Sequence, residues 1–175
     1  MKLSRNTLGA ACIGLSLMPA AQSAKAQDLA DYLSQHGYSA IAMNKLATGH
    51  ETVTVEINGV SGWFVLDSGA GATVIHSARL AKYELASTEA VNSSIGIGAG
   101  GQSSIMSHDI QSLRIDGAAL NLPQVRSMDL SGVVEALTAA TGTEIDGVIG
   151  QDVLTRYQGV IDVKAQQLFL RPEPR

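Results

Sequence analysis

One stretch of alternating residues followed by an apolar run constrains the fold of this chain more than any other feature. Within Glu51–Ile57, valine and isoleucine alternate with threonine and glutamate, which is the pattern of a β-strand with one buried face. The dipeptide Asn58-Gly59 follows, and it favours the type I′ turn of a two-residue hairpin. Residues 63–66, Trp-Phe-Val-Leu, are apolar on both faces. The sequence therefore predicts a β-hairpin whose second strand runs directly into Asp67.

Asp67 begins the sequence Asp-Ser-Gly-Ala, after which the chain resumes as Thr-Val-Ile at residues 73–75. An aspartate close to a glycine is common in turns, where its carboxylate accepts hydrogen bonds from nearby backbone amides. Further along the chain, Asp-Gly-Val-Ile-Gly at residues 146–150 precedes a predicted short helix at residues 151–156. The apolar strand before Asp67 and this second motif favour a carboxylate held in place for chemistry over a plain turn residue.

The first 26 residues predict export. Lys2 and Arg5 precede an apolar stretch at residues 8–18, and Ala-Lys-Ala follows at residues 24–26, which is the pattern of a secretory signal peptide. The apolar stretch is shorter than the roughly 20 residues that cross a bilayer, and no later segment reaches that length. We therefore expect residues 1–26 to be removed and the mature chain to be periplasmic or secreted, without a membrane span.

Charge and cysteine content exclude one class of partner and one class of chemistry. The net charge is −4 for the whole chain and −7 once Lys2, Arg5 and Lys25 leave with the signal. No basic run remains, so nucleic acid is not an expected partner. The only cysteine, Cys12, also lies in the signal, so the mature chain has neither a disulfide nor a thiol nucleophile. Its stability must come from core packing.

Short segments separated by turn residues make up the rest of the 149-residue mature chain, which is long enough for one domain. Many short strands at close spacing favour a small closed barrel, so we expect a mainly β fold with one or two short helices. We assign residues 27–50 to an N-terminal extension and residues 51–171 to the domain. Further strands are predicted at residues 39–43, 95–97, 105–110, 112–115, 160–163 and 168–171. Helical segments are indicated before Gly37 and at residues 78–82, where Ser77 is the expected cap. A further helix is predicted at residues 131–140, with Ser131 as its cap and a stop at Gly142, and we expect it to be exposed.

A glycine-rich segment matches the letters of the dinucleotide-binding fingerprint G-x-G-x-x-G. Its members are Gly96, Ile97, Gly98, Ala99, Gly100 and Gly101. That chemistry needs a following helix whose N-terminus meets the pyrophosphate, whereas residues 102–110 are serine-rich and have the pattern of an extended segment. The segment therefore predicts a flexible β-hairpin, and we expect no nucleotide or other cofactor.

The histidines and Ser68 define two further alternatives. The four histidines lie far apart without the i, i+4 spacing of a helical zinc site, so no metal site is expected. They are His36, His50, His76 and His108. Ser68 beside Asp67 suggests a serine hydrolase with His76 or His108 as the base, but the G-x-S-x-G elbow of such enzymes is absent.

The two motifs together resemble those of the retropepsin-like aspartic proteases, in particular their single-domain exported bacterial members. The first matching motif is Asp67-Ser68-Gly69-Ala70, and the second is Val148-Ile149-Gly150, followed by Gln-Asp-Val-Leu. Their order and separation, with the glycine-rich stretch between them, are similar to the family over roughly residues 51–171.

The resemblance implies a small closed β-barrel protomer in which Asp67 is the catalytic aspartate. It also implies that Ser68 and Gly69 donate hydrogen bonds that hold two such loops together, with Ala70 in the same loop. The residues Val148, Ile149 and Gly150 would pack beneath the loop, and the hairpin of Gly96 to Gly101 would be the flap that closes over a protein or peptide substrate.

The chemistry of this family needs two carboxyls. Two carboxyls about 3 Å apart cannot both ionise, so they share one proton, and the pair activates a water for peptide hydrolysis without a covalent intermediate. The mature chain contains one Asp-Ser-Gly, and Asp109, Asp116 and Asp146 sit in dissimilar contexts. A second copy of Asp67 is therefore expected to complete the pair in a homodimer.

Three features depart from the family pattern. Gly71 stands where retroviral members usually carry an acidic residue, and the segment at residues 127–145 is longer than the minimal fold needs. The chain before Glu51 has no counterpart in the viral enzymes, and it is open to interpretation as a pro-segment, a cover for the barrel edge or an extra strand. A rival hypothesis is a catalytically inactive module of the cell envelope that keeps the fold and binds a peptide.

Overall fold

A computed structural model of the protein describes residues 28–85, 94–98 and 101–172, which form thirteen strands, three α-helices and one 3-10 helix. The strands are β1 (Ser39–Ala42), β2 (Asn44–Lys45), β3 (Glu51–Ile57), β4 (Val60–Leu66), β5 (Val74–His76), β6 (Ser94–Gly98), β7 (Gly101–Asp109), β8 (Leu113–Ile115), β9 (Ala118–Leu120), β10 (Gln124–Met128), β11 (Gly147–Ile149), β12 (Val160–Asp162) and β13 (Gln167–Leu170). The helices are α1 (Leu29–Gln35), the 3-10 helix (Ser77–Tyr83), α2 (Ser131–Thr141) and α3 (Gln151–Arg156). The predicted signal peptide lies outside the described residues, and none of the described helices is long and apolar enough to cross a membrane.

The strands pair into two sheets. The larger sheet follows the order β6-β7-β10-β5-β11-β4-β3-β8-β9 with β2 paired to β3, and the smaller follows β1-β13-β12. Within the larger sheet, β11 lies between β4 and β5, parallel to β4 and antiparallel to β5. The mainly β fold predicted from the sequence is therefore confirmed. The pairings of the described residues form an open path from β6 to β9, so closure into a barrel stays a prediction.

The β3–β4 hairpin forms as the sequence predicts. Its register pairs Ile57 with Val60 across a two-residue turn, and Asn58 and Gly59 have φ values of 52° and 82°. A type I′ turn needs positive φ at both central residues, which asparagine and glycine tolerate best. The valines and Ile57 of β3 are fully buried, so the alternation in the sequence corresponds to a core face.

Strand β4 contacts two apolar clusters, one on each of its faces. Phe64 belongs to the main cluster, together with the buried face of β3. Val65 lies on the opposite face and packs with Val134 and Leu137 of α2 and with Ile145. The sequence predicts an exposed helix at this place, and this is wrong for one side of α2. Val134 and Leu137 are three residues apart, so they share one helix face, and that face covers Val65.

Two helix starts differ from the sequence prediction, which gives Ser77 and Ser131 as caps. Ser131 is the first residue of α2, and its amide donates to Asp129 Oδ1 at 2.9 Å. This bond, and after it one from the Ser131 hydroxyl, lowers the pKa of Asp129. Leu130 thus stands at the N-cap position without a side-chain hydrogen bond, and Asp129 binds the amide of the first helical residue. Ser77 is the first residue of the 3-10 helix, whereas α2 ends as predicted, with Gly142 at φ 71°.

The segment before Glu51 contributes to both sheets. Strand β1 pairs with β13 in antiparallel register, and β2 pairs with β3. Ile41 is fully buried and Met43 is 5% exposed, and both belong to the main apolar cluster. Of the three interpretations of this segment, the geometry matches an extra strand.

Candidate active site

The strands β4 and β11 end side by side, and this brings the two sequence motifs together. Their parallel register pairs Leu66 with Ile149, and the amide of Asp67 donates to the Ile149 carbonyl oxygen at 3.0 Å. Asp67 itself is exposed, at the start of a loop of residues 67–73 that leads into β5. Asp67 thus stands exposed at the end of β4, a strand in which Phe64 and Val65 are buried and Trp63 is exposed.

Hydrogen bonds within the loop hold the Asp67 carboxylate. Gly69 N donates to Asp67 Oδ1 at 2.8 Å, and Ala70 N donates to the Asp67 carbonyl oxygen at 3.1 Å. A Cβ atom at Gly69 would lie 3.1 Å from Asp67 Oδ1, which is tight, so a side chain there would press on the carboxylate. Ser68 is exposed. Ser68, Gly69 and Ala70 therefore lie in the loop of Asp67, with Gly69 in contact with the carboxylate, and the bonds between two copies stay a prediction.

Val148, Ile149 and Gly150 lie directly beneath this loop. Ile149 is fully buried, and a Cβ atom at Gly150 would lie 2.5 Å from the backbone carbonyl of Ala72. No side chain fits at that distance, so the glycine lets the end of β11 and the loop approach each other. Ile149 and Gly150 thus contact the loop, whereas Val148 pairs with Val65 and Val74. Their role as a support for the active-site loop stays a prediction.

Thr73 and Asp152 join the same loop to α3, and sequence reasoning missed both. Asp152 Oδ1 accepts hydrogen bonds from Thr73 N at 2.8 Å and from the Thr73 hydroxyl at 2.7 Å. The hydroxyl oxygen in turn accepts from Gly150 N at 3.1 Å. Thr73 is 1% exposed and Asp152 is half-buried, so these bonds are partly shielded from water and fix the end of the loop. The available signal, an aspartate in the first turn of a predicted helix, is ordinary at helix starts and does not indicate a distant partner.

Gln151 also contacts the loop and was not predicted to belong to the site. Its backbone amide donates to the Ala70 carbonyl oxygen at 2.8 Å, and its side-chain Nε2 donates to the Ser68 carbonyl oxygen at 2.7 Å. A surface glutamine by itself does not indicate a functional role. Only its position directly after Val148-Ile149-Gly150 could have indicated that Gln151 belongs to the site.

The glycine-rich segment forms the predicted hairpin. Strands β6 and β7 pair antiparallel, with Gly98 opposite Gly101, and Ala99 and Gly100 lie outside the described residues. Strand β7 follows where the dinucleotide fingerprint would need a helix. The hairpin is linked to the Asp67 loop through β10 and β5, because β7 pairs with β10 and β10 pairs with β5. Closure of the hairpin over a substrate stays a prediction.

Comparison with known proteins identifies the family. A family model described as aspartyl protease matches residues 53–153, which is more than half of the chain. The chain belongs to the aspartyl protease family. The match includes Asp67 and the second motif, and the resemblance inferred from those motifs is confirmed.

The fold has a counterpart among solved structures. The chain is similar to the crystal structure of a retropepsin-like aspartic protease from Rickettsia conorii, with a TM-score of 0.53 and 20% sequence identity. The similarity covers 77% of this chain and 98% of that one. It shows a retropepsin-like fold. No curated protein matches the sequence.

In this member of the aspartyl protease family, the carboxylate before the second motif is part of a buried network. Asp146 is 1% exposed, and its Oδ2 accepts hydrogen bonds from Lys82 Nζ at 2.6 Å and from the Tyr83 hydroxyl at 2.8 Å. Arg79 Nε lies 3.5 Å from Asp146 Oδ1. Burial, and after it the hydrogen bond to Asp146, raises the pKa of Tyr83. These contacts bind the 3-10 helix to the entrance of β11, which is a structural role.

Asp109 and Asp116 also contact other groups. Gln124 Nε2 donates to Asp109 Oδ1 at 2.8 Å, and Ala42 N donates to Asp116 Oδ2 at 3.1 Å. These two aspartates and Asp146 thus make their hydrogen bonds away from the Asp67 loop.

The histidines weighed as a base for Ser68 have different partners. His76 Nδ1 accepts a hydrogen bond from Leu130 N at 3.1 Å. His108 Nε2 lies 2.7 Å from Ser127 Oγ, and both side chains are buried. These contacts give the serine-hydrolase alternative no support. Among the residues that the structure describes, no group of three or more His, Cys, Asp or Glu is arranged to hold a metal.

Proposed function

We propose that the protein is an aspartic endopeptidase that works as a homodimer, with a water activated between the Asp67 carboxyls of two copies. The observation that carries the proposal is the placement of Asp67, whose exposed carboxylate stands on a loop tied to the second motif through backbone and side-chain hydrogen bonds. A turn aspartate is also exposed, so the support for catalysis comes from the hydrogen bonds that join this loop to the second motif.

The reaction follows from two such carboxyls sharing one proton. The ionised carboxyl takes a proton from the bound water, whose oxygen forms a bond to the carbon of the scissile peptide. The protonated carboxyl donates its proton to the carbonyl oxygen of that peptide. The tetrahedral intermediate then collapses and the carbon–nitrogen bond breaks. The amine leaves with a proton from one carboxyl of the pair, and one hydroxyl of the intermediate returns its proton to the other, so the pair again holds one shared proton. No cofactor or metal takes part, and the products are a carboxylic acid and an amine.

The contacts of the other candidate aspartates support a second copy as the source of the second carboxyl. Asp109, Asp116 and Asp146 are each bound to groups outside the Asp67 loop. A twofold axis brings identical loops together, so one exposed carboxylate per chain provides two in the dimer. The Gly-rich hairpin acts as the flap over the bound peptide, and the signal sequence at residues 1–26 directs the enzyme to the periplasm or outside the cell.

A dilution series of the mature protein tests this proposal. Cleavage of a peptide library should be lost in Asp67→Asn, and the specific activity of the wild type should rise with protein concentration until the dimer saturates. Mixing wild type with excess Asp67→Asn under exchange conditions should suppress activity, because mixed dimers hold one ionisable Asp67. An active monomer with a rate per chain independent of dilution contradicts the shared pair. Binding of peptides without cleavage, unchanged in Asp67→Asn, favours the inactive peptide-binding module.

A further inference from the structure

Gln151 binds the Asp67 loop on both sides of Gly69. Gln151 is the first residue of α3. Its backbone amide donates to the Ala70 carbonyl oxygen at 2.8 Å, and its Nε2 donates to the Ser68 carbonyl oxygen at 2.7 Å. The other end of its amide is also held, because the Thr155 hydroxyl donates to Gln151 Oε1 at 3.2 Å. The side-chain amide therefore has one defined orientation toward the loop.

The carbonyl of Ser68 and the amide of Gly69 belong to one peptide unit. That unit is planar and trans, so its C=O and N–H point in opposite directions and turn together. Gln151 Nε2 donates to the carbonyl oxygen of this peptide, and the N–H of the same peptide donates to Asp67 Oδ1 at 2.8 Å. Gln151, the Ser68–Gly69 peptide and the Asp67 side chain thus form a chain of hydrogen bonds from α3 to the carboxylate, in which each bond polarises the next.

We propose that Gln151 is a positioning residue of the protease, which orients the Ser68–Gly69 peptide so that its N–H holds the Asp67 carboxylate in the reactive geometry. This inference rests on the function proposed above. Gln151 does not touch the substrate in this mechanism, so its loss should lower kcat and leave KM nearly unchanged. Because its side chain is exposed, its loss should change stability little.

The test compares Gln151→Met with Gln166→Met. Gln166 is a matched control, since its Nε2 also donates to a backbone carbonyl, that of Val163 at 2.6 Å, and lies 3.1 Å from Glu51 Oε1. Both variants lose an amide donor of the same kind. We expect Gln151→Met to lower kcat by about three- to tenfold, the size of one neutral hydrogen bond. Gln166→Met should keep the wild-type kcat.

Gln151→Glu adds a readout that a purely structural role would not produce. An ionised glutamate only accepts hydrogen bonds, but a protonated one has an O–H donor. The kcat deficit of Gln151→Glu should therefore shrink as the pH falls below about 4.3, the ordinary pKa of glutamate. The deficit of Gln151→Met, measured relative to the wild type, should stay constant over the same pH range.

Asp67→Asn, assayed beside these variants, separates the two levels of the argument. If the wild type cleaves and Asp67→Asn does not, but Gln151→Met matches Gln166→Met in kcat, the positioning role is wrong and the protease stands. An increase of KM with unchanged kcat also overturns it, because that assigns Gln151 to substrate binding. If the wild type and Asp67→Asn behave alike, the proposed function is wrong, and this inference falls with it.

Discussion

Asp67 and Asp146 stand at the two motifs of the site, and their surroundings are opposite. Asp67 is exposed, and its carboxylate accepts a hydrogen bond from the loop amide of Gly69. Asp146 is 1% exposed and is surrounded by Lys82, Tyr83 and Arg79. The Asp67 carboxylate is therefore bound by a backbone amide and stays accessible. The Asp146 carboxylate is bound by side chains of neighbouring residues and is buried. The first arrangement suits chemistry and the second suits stability, so the same substitution should have separable effects at the two places.

Asp67→Asn should produce the largest effect, on activity alone. The amide keeps the shape of the side chain, but the proposed dimer would hold no ionisable pair in this variant, so the rate of peptide hydrolysis should fall by at least about a thousandfold. The free energy of unfolding should stay within about 0.5 kcal/mol of the wild type, because the side chain is exposed. Initial rates and urea unfolding curves measure the two quantities. Loss of folding together with activity would remove the distinction between the two aspartates.

Asp146→Asn should show the reverse pattern. The substitution removes the negative charge beside Lys82 and Arg79, so the free energy of unfolding should fall. Because both cations are partly exposed, we expect a loss of about 3 kcal/mol, the lower end of the range for breaking a buried ion pair. The rate per folded molecule should be retained when it is assayed well below the unfolding midpoint. A stable but inactive Asp146→Asn would instead place this carboxylate in the chemistry.

Gly62→Ala sharpens the comparison without changing any charge. A Cβ atom at Gly62 would lie 1.9 Å from Asp146 Oδ2 and 2.0 Å from the Tyr83 hydroxyl oxygen, so the buried network must shift. We expect a loss of about 1–3 kcal/mol in the free energy of unfolding. Gly71→Ala is the control in the Asp67 loop, where a Cβ meets nothing within 4 Å, and it should stay within about 0.5 kcal/mol. Equal unfolding midpoints for the two variants would show that the Asp146 network adapts more easily than its packing implies.

Tyr83→Phe should give the smallest change near neutral pH, a loss of about 1.5 kcal/mol in the free energy of unfolding for one hydrogen bond to a carboxylate. It should also alter the alkaline limb of stability. The pKa of Tyr83 is raised in the folded state, so the folded protein keeps this proton above pH of about 10, where unfolded tyrosine loses it. The contribution of the protonated Tyr83 hydroxyl to the free energy of unfolding is thus complete below about pH 10. It is lost as the pH rises further, by up to about 1.4 kcal/mol per pH unit.

Unfolding free energies between pH 8 and 11 check this last prediction. The decline above pH 10 should be shallower in Tyr83→Phe than in the wild type. Tyr38→Phe is a control outside the network, since the Tyr38 hydroxyl donates to Gln158. A decline equally steep in Tyr83→Phe would mean that the Asp146 network does not respond to this proton.

Local features of the sequence predicted the parts of the fold that depend on neighbours in the chain. Asn58-Gly59 specifies its turn because positive φ is a property of those two residues, and Gly142 ends α2 for the same reason. The contacts of Thr73 with Asp152 could not be predicted, because the two residues are joined by the register of β11 against β4 and β5. That register depends on the packing of the whole sheet.

The site divides in the same way. The apolar strand before Asp67 and the glycine after Ile149 are visible as patterns, and they carried the family resemblance. Gln151 contacts the loop through one hydrogen bond from its backbone amide and one from its side chain, and an exposed glutamine has no pattern of its own. The buried side of α2 was missed because its partner, Val65, lies far away in the sequence.

The pairing of β1 with β13 limits how the small sheet can grow. Strand β13 lies between β1 and β12, so its backbone donors and acceptors are used on both sides within the chain. A strand from another molecule can therefore join this sheet only at its two margins. On the β1 margin the outward amide of Ala42 is already bound by the Asp116 carboxylate, which leaves a short and partly blocked edge. Edge-to-edge addition of a strand from another molecule, a route to β-aggregation, is thus disfavoured on the β1 side.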